Sequence, residues 1–216
     1  MARLKLAVLI SGRGSNLQAL IDACRDPAYP AEIVLVLANE PAALGLERAK
    51  ATKIPTRIVD HRDFTDRAAF EAQLSLAIEA SGATLVCLAG FMRLLGGEFV
   101  RRWRDRLINI HPSLLPAFEG LRTHERALAA GVRLAGCTVH FVREDMDHGP
   151  IIVQAAVPVH PGDDAAALAA RVLAQEHVVY PLAVRLIAEG RVKIVAERVV
   201  IADAGAPLGA LVNPAP

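Results

Sequence analysis

Short, mostly apolar runs alternate along this chain with stretches in which apolar residues recur every three or four positions. Residues 4–10 (LKLAVLI) close in Ser11-Gly12, 32–38 (EIVLVLA), 85–89 and 107–110 repeat the form, and 56–59 reads as a further short strand. Between them, Leu17, Leu20 and Ile21 within 16–25, Leu44 and Leu46 within 41–52, and Phe70, Leu74 and Ile78 within 64–80 carry helical spacing with the apolar side inward. The runs are mostly apolar instead of alternating in and out. Strands buried on both faces read this way, so the pattern predicts a parallel sheet between layers of helices. The second half differs. Residues 135–142 and 151–159 are β-rich and flank 143–150, an arrangement that reads as an antiparallel pair at one sheet edge. Asp163 and Asp164 open a long helix to about 188, where their charge favours the helix dipole. Residues 192–195 and 199–201 suggest a last hairpin, and 203–216 a loose tail. No internal repeat, low-complexity tract or linker interrupts the chain. The expectation is one α/β domain over 1–216: a three-layer αβα architecture with a mostly parallel, doubly wound (Rossmann-like) sheet and an antiparallel C-terminal edge.

Composition narrows the partners. Hydrophobic residues make up 53% of 216, enough for a well-filled core. Lys plus Arg number 24 against 23 Asp plus Glu, a net charge of +1. That balance argues against a general nucleic-acid binder but leaves room for one local anion site. The three cysteines, Cys24, Cys87 and Cys137, form no CxxC pair, which fits a reducing, cytoplasmic setting; Cys87 reads as core. The first apolar run is too short for a signal-peptide core, and no window reaches the ~18 apolar residues of a membrane span. A soluble protein without membrane or nucleic-acid partners is expected.

Two stretches carry candidate chemistry. Ser11-Gly12-Arg13-Gly14-Ser15-Asn16 joins the first strand to the first helix. Its glycines permit a tight turn and close backbone approach, and free N–H groups at a helix start favour a phosphate. Ser15 or Asn16 is placed to cap the helix. A dinucleotide fingerprint would need a third glycine where Leu17 stands, and a P-loop would need Gly-Lys-Ser/Thr. The loop therefore reads as a small-phosphate site or as a tight turn without ligand. The second stretch is Asn109-Ile110-His111-Pro112-Ser113-Leu114-Leu115-Pro116. Asn109 and His111, two apart at a strand end, face the same side, and the prolines stiffen the loop beyond the strand. They read as a catalytic pair or as groups satisfying loop backbone. Asp147 lies in a turn-forming run, Asp145-Met146-Asp147-His148-Gly149-Pro150, and spacing alone does not bring it to His111. An Asp beside a His would orient the ring and favour its charged form. The other histidines (61, 124, 140, 148, 160 and 177) lack metal-ligand spacing such as HExxH, so no metal is expected.

Taken together, these stretches resemble the phosphoribosylglycinamide formyltransferases, the folate-dependent enzymes of purine synthesis. The likeness runs from about residue 4 to 188. It rests on Ser11-Gly12-x-Gly14-Ser15-Asn16, Leu88-Ala89-Gly90-Phe91-Met92-Arg93, the Asn109-to-Pro116 block, Val139-His140-Phe141-Val142 leading to Asp147-x-Gly149-Pro150, and Gln175-Glu176-His177. The resemblance implies a catalytic trio at Asn109, His111 and Asp147. It implies a substrate-phosphate loop at Gly12, Gly14, Ser15 and Asn16, with Glu176 holding the substrate's ribose. The co-substrate would be 10-formyltetrahydrofolate, bound by Arg67, Met92, Arg93, Leu94, Leu95 and Asn109. It further implies that the glycyl amine of phosphoribosyl-glycinamide attacks the formyl carbon, with no metal and no covalent enzyme intermediate. Partners would be these small molecules, in a monomer or weak homodimer. The chain departs from the family at Arg13, and at Phe118-Glu119-Gly120-Leu121-Arg122, where Tyr-Pro-Gly-Leu-His is commoner. Rival readings are a formyl-folate hydrolase, expected to carry an extra N-terminal domain, and a methionyl-tRNA formyltransferase, expected to carry a C-terminal tRNA-binding domain and a basic surface. A third is a non-catalytic phosphate-binding module.

Overall fold

Each of the five expected strand runs forms a strand: β1 (Leu4–Ile10), β2 (Ala31–Ala38), β3 (Thr56–Ile58), β4 (Leu85–Leu88) and β5 (Leu107–His111). The structure, a computed structural model, describes residues 2–205 and 209–214. Helices α1 (Ser15–Cys24), α2 (Gly45–Ala51), α3 (Arg67–Ala80) and α4 (Gly97–Arg102) alternate with these strands. Later come α5 (Thr123–Ala129), β6 (Leu134–Phe141), β7 (Ile151–Pro158), α6 (Ala165–Ala188), β8 (Val192–Val195) and β9 (Arg198–Ile201). The main sheet has strand order β3-β2-β1-β4-β5-β6-β7; the pairs β1–β2, β1–β4, β2–β3 and β4–β5 are parallel, and β6–β7 is antiparallel. This is the expected α/β class, a mostly parallel Rossmann-like sheet flanked by helices. The order reverses at β1 and β4, the position at which such sheets bind ligands beyond their strand ends.

The chain divides into two compact units, Met1–Asn109 with Phe141–Glu144, and Ile110–His140 with Asp145–Pro216. In the first, Ala7, Leu9, Leu35, Leu37, Val86 and Leu88 pack in one buried cluster with Phe70, Leu74 and Ile78 of α3 and Phe99 of α4. Their strand neighbours Leu6, Val8, Val36 and Cys87 are equally buried, so both sheet faces are covered, as all-apolar strands require. Two details depart from expectation. The helix expected from 41 begins only at Gly45, and Leu44 is 64% exposed while Leu46 is buried. The 41–44 segment is a turn, closed by the Ala43 N–H on the Glu40 carbonyl. Likewise α3 starts at Arg67 instead of 64, because Asp66 caps it by accepting from the Ala69 N–H.

In the second unit, Gly136 of β6 allows the backbones to close up, since a Cβ there would lie 1.9 Å from the Ala155 carbonyl oxygen of β7. Asp164 caps α6 through the Ala167 N–H, as its acidic start predicts. Asp163 instead bonds Arg171 and the His160 N–H, and the guanidinium holds its carboxyl down at about 2. Residues 192–195 and 199–201 do form an antiparallel hairpin, β8–β9. Part of the expected loose tail is tied down: the Asn213 amide donates to the carbonyls of Arg133 and Val159. Residues 206–208 and 215–216 of that tail lie outside the described residues.

Candidate active site

β5 ends at His111 because Pro112, lacking an N–H, stops the ladder. In the second unit the buried His111 ring meets the Asp147 carboxylate, its Nδ1 3.4 Å from Oδ2. Its Nε2 lies 3.1 Å from the Phe118 carbonyl oxygen. Both ring nitrogens thus face oxygens. Asp147 takes a left-handed backbone (φ 60°), which an aspartate tolerates better than most side chains, and its side chain is 9% exposed. Its Oδ2 accepts from the Gly120 N–H at 2.8 Å, and its Oδ1 lies 3.9 Å from Nε2 of the buried His140. Burial pushes the nearby His124 below the ordinary imidazole value; Glu125 opposes this shift and His111 adds to it.

The loop after β5 is braced by residues the sequence did not single out. The Thr138 hydroxyl donates to the Ser113 carbonyl and accepts from the Leu115 N–H. The Gln154 amide reaches the Leu115 carbonyl, and the Ser113 hydroxyl donates to the Ala117 carbonyl. No sequence signal marks these residues, because their partners are loop backbone groups. Glu176, on α6, is buried in this unit. Burial, with Glu176 adding to it, drives the Cys137 thiol up to about 12 and leaves it inert as a nucleophile.

In the first unit, the glycine loop ends in Gly14, which is itself the α1 N-cap at φ 70°. The cap position falls on Gly14, one residue before Ser15, so neither Ser15 nor Asn16 is the N-cap residue. A Cβ on Gly14 would stand 2.6 Å from Gly45 Cα, so close packing as well as its φ requires glycine there. The loop is held from α2. The Gly45 N–H donates to the Gly12 carbonyl and Arg48 Nε to the Arg13 carbonyl. Gly12 stands in open space, Asn16 is buried, and the first turn of α1 carries no acidic residue to repel an anion.

The turn after β4 is fixed from β1 and β2. The Ser11 hydroxyl donates to Asn39 Oδ1 at 2.5 Å and accepts from the Met92 N–H at 2.7 Å. Beyond it Met92 and Leu94 are 68% and 65% exposed, whereas Leu95 is buried in the core cluster. Arg67, Arg93 and Leu94 line one cavity of about 200 Å³ with His61, Phe64 and Phe70. Arg67 faces the buried Glu71 at 3.7 Å, and Glu71 accepts from the Gly96 N–H, which anchors the far end of the turn. Asn109 pairs in register with Leu88 at the end of β4. Among the described residues, no group of three or more His, Cys, Asp and Glu side chains is arranged to hold a metal ion.

Residues 4–184 match the formyl transferase family. The chain is 45% identical over 191 residues to the phosphoribosylglycinamide formyltransferase of Escherichia coli (strain K12), covering 88% of this chain and 90% of that protein. The chain belongs to the phosphoribosylglycinamide formyltransferase family. The structure of glycinamide ribonucleotide transformylase 1 from Symbiobacterium toebii superposes on it with a TM-score of 0.91 at 48% identity, covering 93% of this chain and 95% of that one. The trifunctional purine biosynthetic protein adenosine-3 of Bos taurus is 51% identical over 190 residues, 88% of this chain, but the chain spans only 19% of that relative's length. Every candidate site residue, from Gly12 to Glu176, falls inside the stretch that matches the formyltransferase family.

Proposed function

We propose that this chain transfers the formyl group of 10-formyltetrahydrofolate to the glycyl amine of N1-(5-phospho-D-ribosyl)glycinamide, giving the N-formyl product and tetrahydrofolate, in de novo purine (IMP) biosynthesis. The observation that carries the reading is the buried His111–Asp147 pair, 3.4 Å apart, with His111 the last residue of the strand that also holds Asn109. In this reading His111 exchanges the contact of its Nε2 with the Phe118 carbonyl for a hydrogen bond to the oxyanion that develops on the formyl oxygen, and Asn109, two residues earlier on β5, supplies a second donor. Asp147 keeps the ring oriented, while the Gly120 N–H keeps Asp147 oriented. As the bond from the formyl carbon to the folate nitrogen breaks, His111 gives that nitrogen a proton and regains one from the attacking amine, directly or through ordered water, so the protons balance. The N–H groups of Gly14, Ser15 and Asn16 hold the substrate phosphate, and Glu176 its ribose. Arg67, Met92, Arg93, Leu94 and Leu95 serve the folate side: two cations for its carboxylates and an exposed Met92–Leu94 pair for its ring. Residues 1–216 act as one formyltransferase domain, without metal, on small molecules, as a monomer or weak homodimer in the cytoplasm. Among the described residues no helix is long and apolar enough to cross a membrane.

The decisive assay follows tetrahydrofolate release from the formyl donor with and without phosphoribosyl-glycinamide. Release that depends on the amine is expected. Equal release without it would make the chain a hydrolase, and none under either condition would leave a binding module. Ser15→Asp places a carboxylate against the phosphate, and unit charges ~4 Å apart near a protein surface repel by a few kcal/mol. Its KM for the phosphorylated substrate is expected to rise at least about tenfold on that figure, with kcat nearly kept. Initial rates across substrate concentration test this, and an unchanged KM would remove the loop from phosphate binding.

A further inference from the structure

The strand-end histidine and its aspartate partner both lean on one short segment, residues 118–122, whose backbone three of its own residues hold in a left-handed path. Phe118 (φ 56°), Gly120 (φ 75°) and Arg122 (φ 58°) are all left-handed, and only the glycine adopts that conformation freely. Yet this segment presents the Phe118 carbonyl to His111 Nε2 at 3.1 Å and the Gly120 N–H to Asp147 Oδ2 at 2.8 Å. From α5 it is held by Arg126. Arg126 Nη1 donates to the Glu119 carbonyl and reaches the Leu121 carbonyl at 3.5 Å, and its guanidinium carbon stands 5.8 Å from the centre of the Phe118 ring. The Glu119 carboxylate also lies 3.5 Å from His148. The preceding residues, 113–117, are anchored separately through Thr138 and Gln154.

We propose that Arg126 is a positioning residue: its guanidinium clamps residues 118–122 in their left-handed path and thereby sets the orientation of His111 and Asp147. The guanidinium suits the task, since one of its nitrogens reaches two carbonyls while its planar face lies over the Phe118 ring, a face that an ammonium lacks. Loss of the clamp leaves the fold intact. Arg126 is exposed on α5, alanine is the better helix former there, and the 113–117 bracing does not involve it. The catalytic consequence rests on the formyl-transfer reading; the geometric one does not.

The test uses the full chain with Arg126→Ala and Arg126→Lys. Ring ¹⁵N signals of His111, assigned by their loss in His111→Ala, report its hydrogen bonds without any substrate. Arg126→Ala is expected to shift those signals, keep its melting temperature within a few degrees, and lower kcat about tenfold, a modest case of the misplacement penalty, with both KM values within about threefold. Arg126→Lys is expected to stay close to Arg126→Ala. Unchanged His111 signals and wild-type kcat in Arg126→Ala would overturn the proposal, as would full recovery in Arg126→Lys. Should Arg126→Ala fail to fold, Arg126→Gln takes its place: its amide reaches one carbonyl but does not stack as a cation, so the same ring shift with a smaller kcat loss is expected, and wild-type behaviour overturns the clamp. If the wild-type chain shows no amine-dependent transfer, the functional reading fails while the ring signals still decide the clamp.

Discussion

His111→Ala lowers kcat for formyl transfer by at least about 10²-fold, the range of one positioned acid–base group or one oxyanion donor. The ring is buried, and both its nitrogens are aimed: one at Asp147, the other into the loop beyond the strand. Its removal takes away the donor for developing charge and the carrier for the amine proton at once. Substrate phosphate and folate are assigned to other residues, so KM should move little. Rapid-mix and steady-state rates on the purified variant check this, with its melting temperature as a control. Wild-type turnover would remove His111 from the mechanism.

Asp147→Asn is expected to cost a comparable factor, again at least about 10²-fold in kcat. The substitution is nearly isosteric. An amide oxygen in the Oδ2 position keeps the contacts to the Gly120 N–H and to His111 Nδ1, so the loop stays in place. What disappears is the negative charge behind the ring. A large loss in a variant that melts like the wild type therefore reports electrostatic support of His111 and not collapse of the turn. An Asp147→Asn variant with normal kcat would show that this charge does no catalytic work.

The strands were legible because an all-apolar run has few ways to be satisfied other than in a sheet covered on both sides. β1 and β8 fall on the residues the pattern marks, and the buried face of α3 is the Phe70, Leu74, Ile78 series. The short helices α4 and α5 were not: six or seven residues, rich in charge, give less than two turns of periodicity to read. Leu44 misled because a proline-led stretch with apolar residues imitates a helix start, whereas the close packing of Gly45 on Ile10 and Gly14 fixes the true one. In the site, Asn109 and His111 announce themselves through strand-end spacing. Asp147 does not, since only the folded chain brings its turn to the strand, and family resemblance supplied what spacing lacked. Arg126, Thr138, Gln154 and Arg48 stayed hidden for another reason: each bonds backbone groups, and a carbonyl leaves no trace in residue identity.

The central claim is that His111 and Asp147 work as one unit in moving a formyl group, and the double variant His111→Ala/Asp147→Asn measures it most directly. If the carboxylate acts only through the ring, the double variant should be no more than about threefold slower than the slower single, because groups that act as a unit are not additive. Losses that instead multiply, to about 10⁴-fold or beyond, would mean that the two residues contribute independently and would contradict the account.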